Sequence, residues 1–259
     1  MKVEYSFKIY SKVADLPKEW NSISKENIFL TTGYLDVLEQ SVPSNMSCSF
    51  IGIYEEAELV GVALSQFLDL NKIDPYGRRD TWFKTLVRNL ILKTLSSHIL
   101  IIGNNMLTGQ NAFALMDKTE KSIALKTLRM ASEELLISFK KAGLKIHIIT
   151  FKDFTAGDAQ SFDQAGFQRF FRYSTQPNML FNIRNDWDSV QDYVGALSKK
   201  YRDQYKRARK KFTGIIQKFM TLEDIIEYEE DLYRLYYHVA KNSHFNTFFL
   251  SKDHFRTFK

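Results

Sequence analysis

Residues 48–70 read CSFIGIYEEAELVGVALSQFLDL. Two β-rich runs, CSFIGIY and LVGVALSQFLDL, flank the short polar link EEAE, and this spacing predicts a β-hairpin. On this reading Glu55, Glu56 and Glu58 are solvated turn residues. Upstream, VEYSFKIY (3–10) alternates apolar and polar side chains and reads as a strand. LTTGYLDVLEQ (30–40) reads as a helix with Thr31 or Thr32 as its cap. Downstream, HILIIG (98–103), LKIHIITF (144–151) and MLFNI (179–183) read as strands, the second of them buried. TWFKTLVRNLILKTL (81–95) reads as a helix, and AGDAQSFDQAGF holds a short one. Asp117 and Glu120 stand at a capping-box spacing that opens a further helix to about Ala142, with Gly143 as its stop. The order is strand, helices, hairpin, helix, strand, helix, strand, helix, strand. That is an α/β or α+β layer arrangement with a mixed sheet.

The bulk composition agrees with a folded chain. Of 259 residues, 44% are apolar and 14% aromatic, which excludes a disordered tail. Cys48 is the single cysteine and forms no internal disulfide. With a charged, strand-like start (MKVEYSFKIY) in place of a signal peptide, it points to the cytoplasm. The most apolar stretch, LVRNLILKTLSSHILIIG, is interrupted by Arg88, Lys93 and His98, so no transmembrane segment is expected. Peripheral membrane contact stays open. The 81–95 helix, with Arg78, Arg79, Lys84, Arg88 and Lys93, can lie on an anionic membrane, but its wide apolar face fits packing on the sheet better.

Around residue 185 the character changes, and a boundary there divides the chain into domains 1–185 and 186–259. NDWDSVQDYVGALSKKYRDQYKRARKKF (185–212) reads as one long helix whose apolar stripe runs Val190, Val194, Leu197, Tyr201, Tyr205, Ala208, Phe212. TGIIQKFM (213–220) reads as a strand and 222–242 as an acidic amphipathic helix. Within this part, residues 197–212 carry eight Lys or Arg and one Asp, a local charge of +7 against +6 for the whole chain. Lys199, Arg202, Lys206, Arg209 and Lys210 lie off the stripe and form a cationic surface. Such crowding of like charge calls for a compensating anion. Three anions are compatible with it: the acidic segment LEDIIEYEEDLYRLYY that follows, a phosphate-bearing small molecule, and nucleic acid. Tyrosines on an inward stripe would not stack on bases, which weighs against the third.

No metal-ligand spacing occurs, and the histidines do not cluster. His98 and His147 sit in apolar strand runs as structural residues. His238, His244 and His254 follow the basic helix, where NSHFNTFF can edge a pocket. Cys48 lacks a basic partner nearby in sequence and is not read as a nucleophile.

The sequence resembles the GNAT-type acyltransferases of the FemAB-like group, which carry two related acyltransferase folds in tandem. The likeness rests on IFLTTGYLDVLEQ with IGIYEEAELVGVAL, on AGF (165–167) with QPNMLFNI and WDSVQDYVGALSKKYRDQYKRARKKF, and on LYRLYYHVAKNSHFNTFFLSKDHF (232–255). The resemblance implies a GNAT-like mixed sheet flanked by helices, followed by the start of a second, incomplete half. It implies transfer of an acetyl or aminoacyl group from acyl-CoA (acetyl-CoA) or aminoacyl-tRNA to an amine, without a metal. Aminoacyl transfer to a bacterial cell-wall precursor is the variant. It also implies that Lys199, Arg202, Lys206, Arg207 and Arg209 lie near the phosphates of a substrate, with tRNA as a possible partner. The contrasting reading is a non-catalytic module that binds nucleic acid or anionic lipid through 197–212. Two departures from the family pattern stand out. The pyrophosphate loop Q/R-x-x-G-x-G/A is missing, since GNNMLTGQNAF holds its place with Gly103 and Gly109 far apart. The chain also ends at HFRTFK, within an expected helix, as a C-terminally truncated protein would.

Overall fold

A computed structural model describes residues 4–72, 96–109, 112–152, 154, 156–174, 181–243 and 246–259. Met1–Phe170 with Leu222–Lys259 form one compact unit, and Phe171–Thr221 form a second.

The first unit is built on the hairpin. β2 (Met46–Glu55) and β3 (Glu58–Asp69) pair antiparallel around a tight turn in which Glu56 adopts φ 55°. β1 (Tyr5–Tyr10) adds antiparallel to β2, and β4 (His98–Ile102) adds antiparallel to β3. α3 (Lys121–Lys141), which follows α1 (Trp20–Ser24) and α2 (Thr32–Gln40) in the chain, crosses over to β6 (Ile148–Phe151). β6 pairs parallel with β4, so the sheet is mixed, in the order β1-β2-β3-β4-β6. Parallel pairing needs such a crossover because consecutive parallel strands run the same way.

Helices cover both faces, which is why β3 reads as a nearly continuous apolar run. On one face Phe50, Leu59, Val62 and Leu64 pack against Trp20, Ile23, Leu30, Leu35 and Leu38. Trp20 is fully buried, and its Nε1 donates to the Leu30 carbonyl at 2.8 Å, so the indole carries no unpaired donor. On the other face Ile51, Ile53, Val60, Ala63, Leu100 and Ile102 pack against Ala124, Leu128, Ala131 and Leu135 of α3. Val60 and Val62 share strand parity yet face opposite sides. The register slips between Ile53 and Tyr54, a bulge that turns the alternation over at Gly61.

β5 (Phe113–Leu115) pairs with β3 at Gly61–Ala63, in line with β4. The two short strands meet at Leu64, whose carbonyl accepts from Gly103 N–H and whose N–H donates to the Ala112 carbonyl. A three-residue strand carries no periodicity of its own, so nothing in the sequence announces it. The chain leaves the sheet at Gly103, at φ +135° with a would-be Cβ 3.1 Å from Lys152 Cβ, a place only glycine fills without strain.

Several expectations are corrected. Asp117 and Glu120 form no capping box: α3 begins at Lys121 with Glu120 at the N-cap and no side-chain cap bond. Its stop is as expected, with Gly143 at φ +78°. The C-terminal wind-down then takes up Leu144, whose N–H bonds back to Phe139, so β6 starts at Ile148 and is half-buried. The helix expected over 185–212 is two, α5 (Val190–Ala196) and α6 (Lys199–Lys211), after α4 (Ala159–Gln164) in the first unit. Leu197 and Ser198 between them are extended at ψ 147° and 155°, with Ser198 at the N-cap of α6. No strand forms at Phe181–Ile183 or over 213–220. The acidic helix divides at Tyr228 into α7 (Leu222–Glu227) and α8 (Glu229–Lys241), and α9 (His254–Phe258) follows. The 81–95 helix and His244 fall outside the described residues.

Candidate functional site

The predicted cationic residues all lie in the second unit, on α6. Lys199, Lys206, Arg207 and Arg209 are exposed, while Arg202 is half-buried. Arg202 Nη1 donates to the Gly195 carbonyl at 2.9 Å, which ties it to the C-terminal end of α5. Arg209 lies over the Phe212 ring at 5.9 Å. Among the described residues of this unit, no carboxylate lies within ion-pair distance of these five. The acidic residues of α8 have partners in their own unit: Glu229 with Arg256, Glu230 with Lys252, Asp231 with Arg234.

Helix geometry sorts the charges. Lys199, Lys206 and Lys210 recur at i, i+7 and i+11 and share one face. Tyr201, Tyr205, Ala208 and Phe212 follow i, i+4, i+7 and i+11 on the opposite face, flanked by Lys200 and Lys211 on one side and Arg202 and Arg209 on the other. This stripe was expected to point inward. Tyr201 is instead 55% exposed and Phe212 42%, and no residue of α5 or α6 is buried. α5 is held by its own capping box, in which Ser189 Oγ and Asp192 exchange bonds. The Ser189 hydrogen bond holds the Asp192 carboxyl below its usual pKa.

A second feature, inside the first unit, was not visible in the sequence. Beyond Ile102 the chain of β4 leaves the sheet, and β5 pairs with the earlier part of β3. A hollow of about 380 Å³ opens beside β5 and the start of α3, lined by Phe113, Leu115, Thr119, Lys121, Phe154 and Asp158 among others. Lys121 Nζ meets Asp158 Oδ1 at 2.7 Å, with the Asp158 side chain only 5% exposed. Asp117 also lines the hollow. Two carboxylates beside one ammonium make a poor cradle for a pyrophosphate. Gly103 and Gly109 both have positive φ but stand six residues apart and form no tight anion nest. The hollow's polar groups come from segments remote in sequence, which is why no motif announced them.

No protein-family model and no curated protein matches the sequence. Among solved structures, a ribosomal-protein-alanine N-acetyltransferase from Brucella melitensis biovar Abortus 2308 is similar over 69% of this chain and 99% of its own, at 10% identity and a TM-score of 0.36. Likeness at that level carries no argument about activity or substrate.

The remaining candidates are structural. His98 Nδ1 donates to the Lys145 carbonyl at 2.8 Å, and its Nε2 lies 3.5 Å from Asp69 Oδ1. The His147 ring stacks on it at 5.5 Å, and burial followed by the neighbouring His98 pushes the His147 pKa down. His238 is exposed, and His254 Nδ1 lies 3.2 Å from Ser41 Oγ. Burial raises the Cys48 thiol to about 12, which leaves no thiolate for chemistry near neutrality. Among the described residues, no group of three or more His, Cys, Asp or Glu could hold a metal. No described helix is long and apolar enough to cross a membrane.

Proposed function

We propose that the chain is part of an N-acyltransferase that moves an acyl group from a phosphate-bearing donor, acyl-CoA or aminoacyl-tRNA, to an amine. The observation that carries the reading is the course of the sheet. It runs antiparallel from β1 to β4, then parallel across α3 to β6. This is the frame expected from the GNAT resemblance, and the stretch IGIYEEAELVGVAL forms the hairpin at its centre. Fold alone does not fix activity, so the test lies at the ligand. Attack of an amine on a thioester or ester needs positioning, a base or water for the amine proton, and a donor for the oxyanion. Such a reaction requires none of the triads or metal clusters that the sequence lacks.

The donor's phosphates are assigned to α6, with Lys199, Lys206 and Arg207 exposed for them and Arg202 and Arg209 at the margin. Assignment of 186–259 to a second acyltransferase half belongs to the same proposal, as does a cytoplasmic setting. Equilibrium binding of CoA, acetyl-CoA and an aminoacyl-tRNA to the full chain tests it. Competition between acetyl-CoA and free CoA is expected, with affinity lowered about tenfold in Lys199→Ala/Lys206→Ala by loss of two phosphate contacts. No binding by any of the three donors sinks the reading. Binding of unacylated RNA alone, with a steep loss as salt rises, replaces it with the nucleic-acid module.

A further inference from the structure

We propose that residues 199–219 form a docking surface for an anionic membrane, independent of acyl transfer. Tyr201 and Phe212 lie open along α6 with Tyr205 half-buried between them, and the segment that follows in the chain adds further exposed apolar side chains. Ile216 and Phe219 are each 92% exposed, and Ile215 is 58% exposed. Side chains of this kind left in water are uncommon on a lone surface and mark an interaction site when they are contiguous.

Charge decides the partner. Residues 199–211 hold eight Lys or Arg and one Asp. Lys200 and Lys211 flank the stripe on one side and Arg202 and Arg209 on the other, so their long stems can lie along it and place the charges above it. A helix with a narrow aromatic stripe, a dense cationic remainder and low mean hydropathy lies in the plane of a lipid interface. Tyrosine is at home at that depth because its ring is apolar and its hydroxyl wet. Each Lys or Arg near an anionic leaflet adds attraction that salt screens. RNA would use the same cations and could stack on Tyr201. Phe219 could serve a base in the same way, but RNA offers nothing to Ile215 and Ile216, whereas acyl chains do, so the aliphatic exposure selects lipid.

The test is co-sedimentation of the full chain with vesicles of phosphatidylcholine alone and of phosphatidylcholine with phosphatidylglycerol. Binding is expected to the anionic vesicles alone. Ile216→Ser/Phe219→Ser is expected to lower it about tenfold or more, since two exposed apolar side chains lose their burial in lipid. Lys200→Glu/Lys211→Glu is expected to abolish it. Unchanged circular dichroism should accompany both variants, because none of the four residues is buried. The proposal is overturned if the wild-type chain ignores anionic vesicles at low salt. It is also overturned if a single-stranded RNA binds more tightly than the vesicles do and the Ile216→Ser/Phe219→Ser change leaves vesicle binding unmoved. Failure of donor binding in the preceding experiment leaves this outcome untouched.

Discussion

β3 and α6 are similar in length, twelve and thirteen residues, and each shows a clear pattern in the sequence. Ten residues of β3 are buried, and none of α6 is. The strand has a partner on every side: β2 along one edge, β4 and β5 along the other, helices above and below. The helix has the right periodicity and nothing within its own unit to bury it against. Periodicity states which side chains share a face. Whether that face becomes core depends on what the rest of the chain brings to it.

The sharpest way to break this contrast is truncation on both sides of it. Phe50→Ala is expected to cost about 3–5 kcal/mol of unfolding free energy, because the cavity opens between the sheet and Trp20. Tyr201→Ala should stay within about 0.5 kcal/mol. Chemical denaturation of the two variants measures both, and equal losses would erase the distinction. Gly61 sharpens the account of β3 itself. A Cβ there would stand 2.6 Å from Leu115 Cδ2 and 3.2 Å from Ile53 Cβ. Gly61→Val is therefore expected to cost about 1–3 kcal/mol, with loss of amide protection at Phe113–Leu115 as β5 is pushed off.

The smallest effect is expected at His254, where the C-terminal segment meets the body. Burial depresses its pKa below the usual 6.5. Below that value the unfolded chain binds more protons than the folded one. Stability is therefore full above pH 6.5 and falls as pH drops through the folded pKa. His254→Gln should flatten the pH dependence of thermal melting on the acid side; an unaltered slope would remove the residue from the account.

The hairpin, β1, β4 and α3 were legible because each carries its own period or turn chemistry. β5 was not, since three residues make a strand only when Gly61 and its neighbours offer an edge. The meeting of Lys121 with Asp158 was equally hidden: the two are brought together by a crossover, and no local spacing encodes that. On α6 the cationic residues were legible in number and face. The stripe does not point inward, because an amphipathic pattern by itself supplies no surface to cover it. The break at Leu197–Ser198 was also missed, although Ser198 is a residue that favours a helix start.

The C-terminal segment gives the chain an unusual connectivity. Phe248 enters the cluster of Met46, Leu68, Leu70 and Ile101, while Thr247 accepts from Asn45 and Asn105 and Ser251 donates to the Ser41 carbonyl. The segment after Asn246 is thereby held against the strands and α2 of the first unit. A backbone cut within 181–221 is expected to leave the carboxy-terminal piece bound through contacts such as those of Ser41 with Ser251 and His254. The molecule is thus a natural candidate for fragment complementation, with the amino-terminal piece supplying the template and the carboxy-terminal piece its last layer.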